Sequence, residues 1–170
     1  LGMNDRHNPM RVLYDNRNNK YNYWRLFGNA YADLQLIKDL HVRTSYGLDY
    51  SNFYKRNLEV SYRSGFMNSS RSGVNMEQSH GMKWTWSNTA TYRKAIDKHT
   101  LDVLAGIEMN RQNDINFNAY TAGDGAFAIE TPEYMWPGVS TGTAAVGGGS
   151  TGFSLLSYFG KANYSYDERY

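Results

Sequence analysis

The feature that most constrains this chain is an alternation of apolar and polar residues with period two, sustained over runs far longer than an ordinary strand. In the run 23–37, Trp24, Leu26, Gly28, Ala30, Ala32, Leu34 and Leu36 fall on one face. Tyr23, Arg25, Phe27, Asn29, Tyr31, Asp33, Gln35 and Ile37 fall on the other. The run 40–50 repeats the pattern, with Leu40, Val42, Thr44, Tyr46, Leu48 and Tyr50 against His41, Arg43, Ser45, Gly47 and Asp49. In 81–93, Met82, Trp84, Trp86, Asn88, Ala90 and Tyr92 oppose a face carrying Lys83 and Arg93. In 100–110, Leu101, Val103, Ala105, Ile107 and Met109 oppose Asp102, Leu104, Gly106, Glu108 and Asn110. A weaker run, 153–166, sets Leu156, Tyr158, Tyr164 and Tyr166 against Lys161 and Asn163. The apolar faces of the five runs carry no charge, whereas the opposite faces carry nine, so the two faces meet different surroundings.

Run length separates the possible surroundings. Strands in globular proteins average roughly 5 to 6 residues, but these runs have 11 to 15. A tilted strand needs about 9 to 11 residues to cross a bilayer, and in a membrane barrel lipid-facing apolar residues alternate with polar lumen-facing ones. A soluble sandwich would use shorter strands and turn its large aromatics inward. The connections alternate as well. Tight charged turns are expected at 37–40 and 94–99, and long loops at 51–80 and 111–152. Short turns at one end and long loops at the other are the barrel arrangement, with turns periplasmic and loops extracellular.

Composition removes other classes. The net charge is +2 and the basic residues are scattered, which argues against a nucleic-acid partner. With no cysteine there are no disulfides, thiolate metal sites or thiol catalysis. No apolar run is long enough for a membrane helix. The opening "LGMNDRHNPM" has no signal-peptide pattern and reads as the start of a piece of something longer.

The stretches "NPMRVLYDNRNNKYNYWRLFGNAYADLQLIKDLHVRTSYGLDYSN" and "SLLSYFGKANYSYDERY" resemble the barrel of SusC/RagA-type TonB-dependent outer-membrane transporters of the Bacteroidota. The hairpin 28–50 and the strand 157–170 carry most of the likeness. The resemblance implies an all-β fold of long antiparallel hairpins, one segment of a barrel of roughly 22 strands. It also implies a lumen filled by an N-terminal plug, energy supplied through TonB, and a SusD-like surface lipoprotein that helps import a glycan or peptide. The signal peptide, TonB box, plug and remaining strands would lie outside this chain. The expected location is the bacterial outer membrane, in contact with its lipid. The alternative class is a self-contained soluble β-sheet binding module whose loops carry the ligand contacts. A barrel enzyme or adhesin is a third.

Candidate residues follow from position. Trp84 and Trp86 come directly after a long loop, where an aromatic girdle belongs, and Tyr92 lies near the opposite rim. Arg25, Asp33, Arg43, Asp49, Lys83, Asp102 and Glu108 are expected on the lumen side, with carboxylates neutralising cations, Arg93 included, across neighbouring strands. Among loop aromatics, Phe53, Tyr54, Tyr62, Tyr134 and Trp136 are candidates for stacking on a sugar or for folding the loops on one another. "DINFN", Asp114 to Asn118, opens like a calcium loop, but Ala119 stands where glycine is required, so it reads as a polar ladder. "GGGSTG", 147–152, lacks the lysine of a phosphate loop and reads as a flexible loop end. His7, His41, His80 and His99 have no ligand spacing. Neither a nucleophile elbow nor a working carboxylate pair is present, Asp167 and Glu168 reading as a turn. No enzymatic activity, metal or cofactor is therefore expected.

Overall fold

The computed structural model describes residues 9–64 and 67–167; His7 and Glu168 lie outside them. The elements in order are a helix α1 (Pro9–Asn16), strands β1 (Lys20–Ile37), β2 (Leu40–Glu59), β3 (Tyr62–Ser64), β4 (Met67–Ser69), β5 (Arg71–Ile96) and β6 (His99–Asp124), a short 3-10 turn (Pro137–Val139), and β7 (Thr143–Tyr166). Five strands form one sheet in the order β1-β2-β5-β6-β7, and β3 pairs with β4 in a separate antiparallel hairpin. The fold is all-β with long antiparallel hairpins, as the alternation requires.

Two-residue turns join β1 to β2 at 38–39 and β5 to β6 at 97–98. Asp97 takes φ 50°, a left-handed conformation that aspartate tolerates better than most residues. The backbone N–H of Arg93 donates to the carbonyl of Asp39 at 2.9 Å.

The stretches 51–80 and 111–152 are not the loops expected from sequence. β2 runs on to Glu59 and β5 begins at Arg71. β6 continues to Asp124 and β7 begins at Thr143, leaving 125–142 as the long connection. The ladder is made by backbone groups and persists where side-chain alternation fades, as in Asn52, Tyr54 and Arg56 on the face that begins with Leu40 and Val42. The glycines of 147–152 likewise belong to β7. A Cβ at Gly148 would come within 2.7 Å of the Asn116 carbonyl oxygen, so close strand approach replaces the expected flexible loop end.

The chain divides into two compact units. The first comprises Leu1–Trp24, Asn52–His80 and Ile115–Ser150. It has a small core of Leu58, Val74, Ala126, Phe127 and Met135, flanked by Val60 and Met76. The 125–142 connection supplies Ala126, Phe127 and the fully buried Met135, which cover Leu58 and Val74 from the sheet. The second unit comprises Arg25–Ser51, Gly81–Asp114 and Thr151–Tyr170. Among its described residues none is buried. Leu26, Leu34 and Leu36 are each more than half exposed.

Candidate functional site

In the second unit, side-chain contacts between strands join residues of matching face. On the polar face, Arg25 Nε donates to Asp49 Oδ1 at 2.7 Å, and Nη2 pairs with the other oxygen. Arg93 holds Asp102 through Nη2 at 2.6 Å and Nε at 3.1 Å. Ser87 donates to Glu108 at 2.9 Å, Asn110 Nδ2 donates to the same carboxylate at 2.8 Å, and Thr85 donates to Asn110 at 2.5 Å. The cross-strand neutralisation foreseen in the sequence is thus found for Arg25 and Arg93. Asp33 instead faces His41 at 3.8 Å, Glu108 is held by neutral donors, and Arg43 lies over the ring of Tyr31 at 4.2 Å. Lys83 adds positive charge near Asp49. Asp114 accepts from Gln112 at 2.7 Å.

On the apolar face, Trp84 stacks on Tyr46 with centroids 6.1 Å apart, and the Trp86 indole N–H donates to Thr44 Oγ1 at 3.1 Å. Tyr92 lies on the same face of β5, nearer the turn at 97–98. Beyond that turn His99 Nδ1 meets the Tyr164 hydroxyl at 2.6 Å.

The candidate aromatics of the first unit are not brought into one site. Tyr62 lies in β3 with the Arg11 guanidinium 3.4 Å above its ring, and Trp136 faces Arg56 at 4.1 Å. Tyr134 is 60% exposed, Tyr54 is half-buried in β2, and Phe53 meets Tyr21 edge-on at 5.1 Å. The organising residue is Arg56, which sequence reasoning missed. It is buried, and Nη2 donates to the carbonyls of Pro132 at 2.5 Å and Met135 at 2.8 Å, tying the 125–142 connection to β2. Its signal was an arginine at a position whose parity continues the apolar face of β2. The helix α1 was also missed; Arg11 and Asp15 brace it at 3.1 Å.

Two exposed groups of this unit titrate away from their ordinary values. The Arg71 guanidinium is held protonated more firmly by its hydrogen bond to the Tyr120 hydroxyl, at 2.6 Å. The Glu133 carboxylate is held below its usual range by its own backbone N–H and by Thr131.

The fold, a sheet of long antiparallel β-hairpins, matches one part of much longer solved chains. Specifically, the chain is similar to the solved RagAB peptide transporter, with a TM-score of 0.73 and 18% identity over 89% of this chain. It is equally similar to the RagAB peptide importer in the "closed-closed" state, at 19% identity, and in the "open-open" state, at 18%, each with a TM-score of 0.73. The chain spans 17% of the length of those chains. No family profile and no curated protein matches it in sequence. The structural neighbours accord with the resemblance to SusC/RagA-type transporters drawn from the sequence.

Proposed function

We propose that this chain is one segment of an outer-membrane transporter barrel, with its apolar face against lipid and its polar face lining the lumen. The observation that carries the reading is the second unit, where a two-faced sheet leaves Leu26, Leu34 and Leu36 exposed and buries nothing among its described residues. A sheet in water would cover such a face; a bilayer covers it without help from the chain. In this reading Trp84 and Trp86 mark one interface and Tyr92 the other. Arg25, Asp33, Arg43, Asp49, Lys83, Asp102 and Glu108 face the lumen.

The full barrel would comprise about 22 strands closed around a plug, and would import a glycan or peptide with a SusD-like lipoprotein, driven through TonB. Tyr54, Tyr62, Tyr134 and Trp136 are candidate substrate contacts on the outer side; the Arg11 and Arg56 stacks give Tyr62 and Trp136 a role in folding their segments too. The likeness to the RagAB transporter supports this reading at the level of fold.

Detergent dependence tests it. Purified with and without detergent, the protein is expected to sediment as a folded species only in detergent. A monomeric, cooperatively folding species in plain buffer would favour the soluble binding module, in which the first unit's small core is the seed of a self-contained domain.

A further inference from the structure

The cations on the polar face of the second unit are not treated alike. Arg25 is engaged by both oxygens of Asp49, and Arg93 by Asp102. Arg43 has neither a carboxylate nor a hydrogen-bond partner among the described residues; its guanidinium lies on the ring of Tyr31, 4.2 Å from the centroid. The pair forms one wall of an open cleft of about 470 Å³, completed by Asn29, Ser45, Ser87 and Thr89.

A guanidinium lying on an aromatic ring is oriented by that ring, and its N–H edge remains available in the plane. That edge matches the spacing of a carboxylate, which an arginine fork binds through two parallel hydrogen bonds. Asn29, Ser45 and Thr89 supply neutral amide and hydroxyl groups beside it. Ser87 is already committed to Glu108, and Asp33 already faces His41; among the residues that line the cleft, Arg43 alone carries a charge.

We propose that Arg43, held on Tyr31 and flanked by Asn29, Ser45 and Thr89, is a subsite for the carboxylate of a solute passing along this face. The proposal deepens the transporter reading and rests on that face lining the lumen. The ligand class is a singly charged organic carboxylate, the group that ends a peptide or decorates an acidic sugar.

The test is arginine labelling by phenylglyoxal on the full-length protein in detergent micelles, with the rate at each arginine read by peptide mass spectrometry. Propionate is the probe, and propionamide at matched ionic strength in sodium chloride is the neutral control. Propionate is expected to slow labelling of Arg43 saturably, by about tenfold at ten times its apparent Kd, and to leave Arg25 and Arg93 unchanged. In Tyr31→Ala the Arg43 protection is lost while Arg25 labelling, which reports an intact sheet, stays at the parent rate. Equal labelling with propionate and propionamide, or equal protection by chloride, overturns the proposal. An Arg43 that labels only after the plug is removed also overturns it, because the site is then covered by the protein and closed to a solute. A protein that needs detergent but shows no propionate protection loses this proposal and keeps the transporter reading.

Discussion

The indole of Trp84 lies stacked on the phenol ring of Tyr46, centroids 6.1 Å apart and planes 21° from parallel. Two positions along β5, Trp86 reaches Thr44 on the same face. Both indoles are therefore fixed to β2 on the face assigned to lipid.

In bilayers containing lipids brominated high on the acyl chain, the fluorescence of a variant retaining only Trp84 and Trp86 is expected to be quenched. A variant retaining only Trp136 is expected to be spared, because that indole belongs to the 125–142 connection. Equal quenching of the two would remove the girdle assignment. Trp84→Ala loses the aromatic pair, a cost of about 1 kcal/mol read from the temperature of heat modification.

Arg56 fastens the 125–142 connection through two carbonyls and the Trp136 ring. Arg56→Ala strands the buried Met135 carbonyl and the part-buried Pro132 carbonyl and is expected to cost about 2–4 kcal/mol locally. Hydrogen exchange should quicken across 126–136 while β5 and β6 keep their protection. Unchanged exchange in that segment would show that Met135 and Phe127 hold it alone.

Gly142 and Gly28 make a matched pair. A Cβ at Gly142 would sit 2.7 Å from the carbonyl oxygen of Ala122 and 2.9 Å from the Ala126 Cβ, atoms that cannot swing aside. Gly142→Ala is expected to destabilise by about 1–3 kcal/mol. Gly28 has nothing within 4 Å of that position, so Gly28→Ala should be neutral or stabilising by up to about 1 kcal/mol. Thermal unfolding of the two variants checks the contrast, and equal shifts would contradict it.

The Glu133 carboxylate is depressed by its own backbone N–H and by Thr131. A depressed folded pKa means its contribution is fully present above the unfolded value, about 4.3. That contribution is lost as pH falls through the lower folded value. Protection at 131–136, taken relative to the intrinsic exchange rate at each pH, should therefore fall below about pH 4, and Glu133→Gln should remove the step. Lys94 has the opposite sign, raised by its hydrogen bond to Asp39. Its contribution to the turn is present below the unfolded value, about 10.4, and is lost only as pH rises through the higher folded value. Asp39→Asn should abolish any alkaline loosening of the turn at 38–39 without altering the acid step.

Much of the sheet was legible because side-chain direction in a strand alternates strictly, so residue parity assigns a face before any partner is known. Arg25 and Asp49, Arg93 and Asp102, and Trp86 and Thr44 meet across strands as that parity demands. The extent of the strands was not legible. Beyond Tyr50 and before Gly81 the alternation fades, but backbone hydrogen bonding is indifferent to side chains and carries β2 to Glu59 and β5 back to Arg71.

By itself, then, the sequence determined the fold class and the identity of the two faces, both consequences of local stereochemistry and a period of two. Tertiary structure alone decided which carboxylate meets which cation, since that depends on strand register. It placed Arg43 on Tyr31 rather than on Asp33, and it brought Arg56 to the carbonyls of Pro132 and Met135 across more than seventy residues of chain. It also covered Leu58 and Val74 with Met135 while leaving Leu26 and Leu34 bare. Residues of like parity and like hydrophobicity thus end in different surroundings, because burial is settled by what long-range folding brings over a face.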